Sequence, residues 1–108
     1  MVLTETSIVE ISETLKLLSD KTRLTIVALL KEREMCVCDI VDILETTQPN
    51  ISQHLKKLKS GGIVSETRRS QWIYYSLNMG DKPYLHEIFN HLPSMKEKIE
   101  AHQPNSCC

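Results

Sequence analysis

The chain has only three glycines among 108 residues, two of them adjacent at Gly61-Gly62, so it lacks a glycine-rich loop able to cradle phosphate. It also lacks a Cys-x-x-Cys pair within a βαβ pattern and a Ser/His/Asp arrangement on a pocket-forming scaffold. An enzyme is therefore not expected, although Cys36-Val37-Cys38 beside Asp39 has a reductase-like look. No apolar run approaches the about 18 residues of a membrane helix, and Met1 to Glu10 has neither the basic flank nor the apolar stretch of a signal peptide. The expectation is a soluble, cytoplasmic protein.

Cysteine is sparse too. The four occur as two close pairs, Cys36/Cys38 and Cys107/Cys108, and a reducing cytosol would keep them as thiols, available for metal binding or redox sensing. A chain of this length with 41% hydrophobic residues makes one domain with a modest core, so a second copy is expected to add stability. There is no internal repeat.

Net charge is −1, but it is unevenly spread. Between Gln48 and Trp72 five cations (Lys56, Lys57, Lys59, Arg68 and Arg69) face Glu66 alone, a net of +4 that leaves −5 on the remainder. Positive charge is thus concentrated on one stretch, as a DNA-facing surface requires.

Ile8, Ile11, Leu15 and Leu18 recur at helical spacing, and Ser19-Asp20 can cap a second helix carrying Leu24, Val27 and Leu30; these helices are expected near 5–18 and 21–32. Ile40, Val41, Ile43 and Leu44 predict a short third helix after the first cysteine pair. Thr46-Thr47-Gln48-Pro49 interrupts it, and Ile51, Leu55 and Leu58 line the buried face of a fourth, stopped by Gly61-Gly62. From Ile63 to Leu77 the pattern alternates, with Val64, Thr67, Trp72, Ile73, Tyr74 and Tyr75 flanking Arg68-Arg69-Ser70-Gln71, which predicts a β-hairpin with a basic tip. Leu85, Ile88, Phe89, Leu92, Met95 and Ile99 form a last helical stripe, bent at Pro93. The expected organisation is one winged helix-turn-helix domain over 1–102 and a mobile cysteine-containing tail over 103–108.

A short helix, a tight turn, a polar-faced helix and a basic hairpin form the order of a winged helix-turn-helix. On the fourth helix Gln48, Asn50, Gln53, Lys56 and Lys57 point outward or flank the outer face, with Ser52 and His54 near the rim; these side chains can hydrogen-bond base edges and phosphates. Arg68 and Arg69 would contact phosphate or the minor groove.

Three passages carry a resemblance: Leu18-Ser19-Asp20-Lys21-Thr22-Arg23-Leu24, Cys36-Val37-Cys38-Asp39-Ile40, and Gln48-Pro49-Asn50-Ile51-Ser52-Gln53-His54-Leu55-Lys56-Lys57-Leu58. Over nearly its whole length the chain resembles the ArsR/SmtB family of metal-responsive repressors, and Cys-Val-Cys-Asp resembles the family's thiol-rich arsenic, cadmium and lead sensors. The resemblance implies a mainly α homodimer of five helices plus a wing, joined through its first and last helices by Ile8, Ile11, Leu15, Leu85, Ile88, Phe89 and Leu92. It also implies a palindromic operator on double-stranded DNA, released when an inducer binds.

On an ideal helix Cys36 and Cys38 would lie about 200° apart, whereas in extended backbone they share a face. Chelation by both therefore requires the start of helix 3 to be non-helical or to unwind, at a position where the helix N-terminus favours a thiolate. Soft thiolates select thiophilic ions. As(III) or Sb(III), with three sulfurs, is the leading inducer, and Cd(II), Pb(II) and Zn(II) are further candidates. Some arsenic sensors of the family carry a third cysteine where this chain has Val41, and its cadmium sensors add N-terminal cysteines that are missing here; the other available sulfurs are Cys107 and Cys108. The family's zinc site uses Asp-x-His at the start of the last helix, where this chain reads Asp81-Lys82-Pro83, so His86, His91 and His102 are expected to be surface or interface residues. A repressor switched by thiol oxidation and a metal carrier without DNA binding are the rivals.

Overall fold

The structure, a computed structural model, describes residues 5–78, 80 and 82–102. The order is α1 (Glu5–Leu18), α2 (Lys21–Glu32), β1 (Met35–Cys36), α3 (Val37–Leu44), α4 (Gln48–Ser60), β2 (Val64–Arg69), β3 (Trp72–Leu77), α5 (Tyr84–Asn90) and α6 (Lys96–Ala101). It is a winged helix-turn-helix.

Local chemistry sets the helix boundaries. Ser19 Oγ donates to Lys16 O at 2.7 Å as α1 ends, and the Asp20 carboxylate accepts from Arg23 N at 3.0 Å as α2 begins. That backbone hydrogen bond holds the Asp20 pKa below its ordinary 3.8, against a smaller opposing effect of burial. Thr47 caps α4 in the same way, with a proline in the first turn. After α4 the chain needs Gly62 at φ 76°, and a Cβ at Gly61 would collide with Leu17 Cδ2, because α1 ends directly against this turn.

The core joins α2 (Ile26, Val27, Leu29), α3 (Ile40), α4 (Ile51, Leu55, Leu58), Ile63, and α5 (Leu85, Phe89). As expected, Ile51, Leu55 and Leu58 are the inward stripe of α4. Seven residues of helix are marginal alone. Burying Phe89 and Leu85, at about 1.5–3 kcal/mol each, is what holds α5 in place.

Two features go beyond the expected pattern. The hairpin is a three-stranded sheet in the order β1-β3-β2, because Met35 and Cys36 pair antiparallel with Tyr75 and Tyr74. The last apolar stripe is two helices rather than one bent helix, so the described residues contain six helices, not five. Pro93 lies in the break, and α2 secures it from both sides: Lys31 Nζ donates to Phe89 O at 2.9 Å and Met95 N donates to Glu32 Oε2 at 3.1 Å. No helix among the described residues is long and apolar enough to cross a membrane.

Candidate nucleic-acid interface and cysteine site

Residues Glu45 to Thr47 join α3 to α4, with Glu45 in the left-handed region at φ 52°. On α4, Gln48, Ser52, Gln53, Lys56 and Lys57 are exposed. At about 100° per residue, Gln53 lies almost opposite the buried stripe, which makes it the amide best placed to meet a base edge. Two other candidates are engaged within the protomer. Asn50 Nδ2 donates to Thr46 Oγ1 at 3.1 Å. His54 turns toward α2, where its Nδ1 accepts from the Arg23 guanidinium at 3.3 Å and lies 3.9 Å from Asp20 Oδ2. Its helical position, about 60° from the centre of the stripe, was the available signal.

The wing turns at Ser70-Gln71, with Ser70 at φ 59°. Arg68 and Arg69 end β2 and, being adjacent on a strand, face opposite sides. The Arg69 guanidinium forks onto Glu34, one nitrogen reaching Oε1 and the other Oε2 at 3.1 Å, and it lies 5.0 Å from the centroid of the Tyr74 ring. Lys59 donates to Glu66 at 2.5 Å; this hydrogen bond, with a second from Tyr75, holds the Glu66 pKa below its ordinary 4.5. Two cations of the basic stretch are thus matched by carboxylates, leaving Lys56, Lys57 and Arg68 as its outward charges. Glu34 stands outside the sequence expectations because it is 35 residues from Arg69.

Cys36 and Cys38 straddle a change of backbone. Cys36 ends β1 and caps α3 in extended conformation (φ −87°, ψ 168°), while Cys38 is in the first helical turn. Only Cys36 is extended; Val37 and Cys38 already belong to α3. Both sulfurs are in disulfide linkage, and no described cysteine is a free thiol. With no S–H to donate, Cys36 Sγ makes a contact rather than a hydrogen bond with Asp39 Oδ2, at 3.5 Å. The other oxygen, Asp39 Oδ1, accepts from His102 Nε2 at 3.1 Å, and both side chains are largely buried (14% and 7% exposed). His102, expected at the surface or an interface, instead fixes the end of α6 beside the cysteines. Among the described residues no group of three or more His, Cys, Asp and Glu could hold a metal ion. Cys107 and Cys108 lie outside the described residues, as does Asp81.

Of the apolar residues implied for a dimer contact, Ile8, Ile11, Leu15 and Ile88 are exposed, joined by Val9; Ile8 is 64% and Val9 53% exposed. Leu85 and Phe89 are buried in the protomer's own core, and Leu92 is half-buried against it. Near the wing-to-α5 connection Lys82 is buried, and His86 and His91 are exposed.

A profile for the family described as bacterial regulatory protein, arsR family, matches residues 20–66, from the cap of α2 into β2. The arsenical resistance operon repressor of Escherichia coli K12 is 44% identical over 64 residues, covering 58% of this chain and 55% of the repressor. A cadmium resistance transcriptional regulatory protein, the CadC homolog of Staphylococcus aureus, is 35% identical over 85 residues, covering 72% of this chain and 70% of that protein. The chain spans 50%, 64% and 55% of the length of three of the curated arsenic-resistance regulators it matches. The solution structure of the homodimeric winged helix-turn-helix DNA-binding domain of Mb0332 from Mycobacterium bovis superposes with TM-score 0.69 at 26% identity, covering 91% of this chain and 89% of that one. By their descriptions the two curated relatives are an operon repressor and a transcriptional regulatory protein. By the profile match and by its identity to the CadC homolog, the chain belongs to the ArsR family of bacterial regulatory proteins.

Proposed function

We propose that this protein is a dimeric transcriptional repressor that binds operator DNA in the cytoplasm and releases it when the thiols of Cys36 and Cys38 coordinate As(III) or Sb(III). The observation that carries this reading is the position of the pair: Cys36 is the cap of α3, and α3 leads through three residues into the helix that exposes Gln53, Lys56 and Lys57. Each thiol that binds arsenous acid forms an As–S bond and displaces one hydroxyl as water. Drawing two sulfurs onto one ion at a strand-to-helix junction twists the first turn of α3, and α4 must follow. A coupling of about 1–3 kcal/mol, or 5–150-fold, is enough to change promoter occupancy.

Dimerisation through α1 and α5 is supported by the exposed Ile8, Val9, Ile11, Leu15 and Ile88, a surface whose burial is favourable at about 25 cal/mol per Å². Gln48, Ser52, Gln53, Lys56 and Lys57 would then meet the major groove, Asn50 and His54 would flank them, and Arg68 would meet phosphate from the wing. A third sulfur for As(III) comes from Cys107 or Cys108 of the same protomer. Its support is the His102–Asp39 hydrogen bond, which holds the end of α6 against Asp39, one residue past Cys38; Cys107 follows His102 by five residues, a reach of up to about 3.3 Å each.

The disulfide linkage of both cysteines favours a second reading, in which oxidation itself is the signal. Measuring operator release by arsenite, antimonite, Cd(II), Pb(II), Zn(II) and peroxide in parallel tests both. Release by arsenite from the reduced protein, lost in Cys36→Ser/Cys38→Ser, is expected. Release by peroxide alone would replace the ion with a redox signal.

A further inference from the structure

The route from α3 to α4 is not the shortest connection between the cysteines and the DNA-binding surface. Strand β1 is only Met35 and Cys36, and it is held to the wing by its pairing with Tyr75 and Tyr74. Cys36 therefore sits directly across from Tyr74. The residue before β1 is Glu34, whose carboxylate takes the Arg69 guanidinium in a two-pronged pair, and Arg69 in turn lies over the Tyr74 ring, 5.0 Å from its centroid. Arg69 is itself the cross-strand partner of Trp72 at the mouth of the wing turn. Residues 34–36 and 69–74 thus close a loop of contacts: sulfur-bearing strand, carboxylate, guanidinium, aromatic ring, and back to the strand.

Its parts suit transmission. A bidentate Arg–carboxylate pair fixes direction as well as distance, and stacking on Tyr74 adds a second constraint on the same planar group. A two-residue strand has little pairing to resist displacement, so a change at Cys36 Sγ moves Glu34 with it. Arg69 then either follows, tilting the wing, or loses its partner and becomes a further cation for phosphate. On the other face of the hairpin, the Lys59–Glu66 pair joins the wing to α4, and Glu66 also accepts from Tyr75 rather than from Arg69.

We propose that Glu34 is a positioning residue that couples the state of the Cys36 sulfur to the wing by holding Arg69 over Tyr74. The proposal rests on the reading that Cys36 is where the signal arrives, but not on which signal it is. It makes the wing a second responding element beside the recognition helix.

The single tryptophan of the chain, Trp72, is a built-in reporter beside the wing turn. In the full-length protein, selectively excited Trp72 emission is followed while the disulfides are reduced with a phosphine and then as arsenite is added. Wild type should change at one or both steps. Glu34→Gln and Arg69→Lys should each remove most of that change, while thiolate-to-arsenic absorption, which reports ion uptake, stays as in wild type. Glu66→Gln, which breaks the other ion pair on the hairpin, should keep the change. In operator titrations, arsenite-driven or redox-driven release should fall about fivefold or more in Glu34→Gln. Circular dichroism confirms that each variant is folded. A wild-type Trp72 signal blind to both reduction and arsenite overturns the coupling, as does a Glu34→Gln signal and release equal to wild type. If Trp72 responds as stated but no agent releases operator from wild type, the coupling stands and the repressor reading fails.

Discussion

The pairing of charges makes the salt dependence of operator binding a quantitative test. Five cations lie between Gln48 and Trp72, but Lys59 is bound to Glu66 and Arg69 to Glu34. In the proposed dimer on operator DNA, that would leave Lys56, Lys57 and Arg68 of each copy to displace counterions, on the order of six phosphates in all. With about 0.9 ion released per phosphate, log K should fall against log salt with a slope of about −5. Were all five cations engaged on each protomer, the slope would be about −9. Fluorescence anisotropy of a labelled operator across a salt series measures it. Lys56→Ala and Lys57→Ala should each flatten the slope by about 2, since each protomer then neutralises one phosphate fewer, whereas Glu34→Gln should steepen it by a similar amount by releasing Arg69. A wild-type slope near −9, or no flattening in the lysine variants, would refute the partition of charges drawn from the ion pairs.

Gln53→Ala should cut discrimination between operator and a mutated operator by about 1–3 kcal/mol while changing binding to random DNA little, as competition titrations with both duplexes would reveal; equal losses on both would place Gln53 off the base edges. The folded-state pKa values of Asp20 and Glu66 are both lowered, so the stability they contribute is full above their ordinary values of 3.8 and 4.5 and is lost as pH falls through the lower, folded values. Melting temperature should therefore drop over that acid range, and Asp20→Ala, costing about 1 kcal/mol at neutral pH, should soften the drop; an unchanged acid profile would rule out the cap as its source. Truncation after Asn105 should lower the arsenic–sulfur count from three to two by X-ray absorption and weaken arsenite binding. Three protein sulfurs with unchanged affinity would exclude the tail as a ligand.

Much of the fold was legible because its determinants are local. Asp20 can cap α2 from three residues away, and the 3.6-residue recurrence of Ile51, Leu55 and Leu58 fixes the inner face of α4 wherever that helix docks. Alternation from Val64 to Leu77 separates strand from helix by period alone. The strand-to-helix junction at the cysteine pair was only partly legible: Cys36 is extended, but Cys38 is already helical.

What the sequence could not supply is the identity of distant partners. Apolar periodicity marks a face as buried without saying against what: Leu85 and Phe89 turn to their own core while Ile88, on the same short helix, stays exposed. The two residues of β1 are too few to show a period, and they became a strand only because Tyr74 and Tyr75 came alongside. Glu34–Arg69 and Asp39–His102, 35 and 63 residues apart, leave no trace in either neighbourhood. A charged side chain looks the same in sequence whether it faces water, phosphate or a carboxylate. Local propensity and period thus determined the elements and the chemistry they carry, and tertiary packing decided which of the cations and cysteine neighbours are engaged within the protomer, because those pairings exist only once the chain has closed on itself.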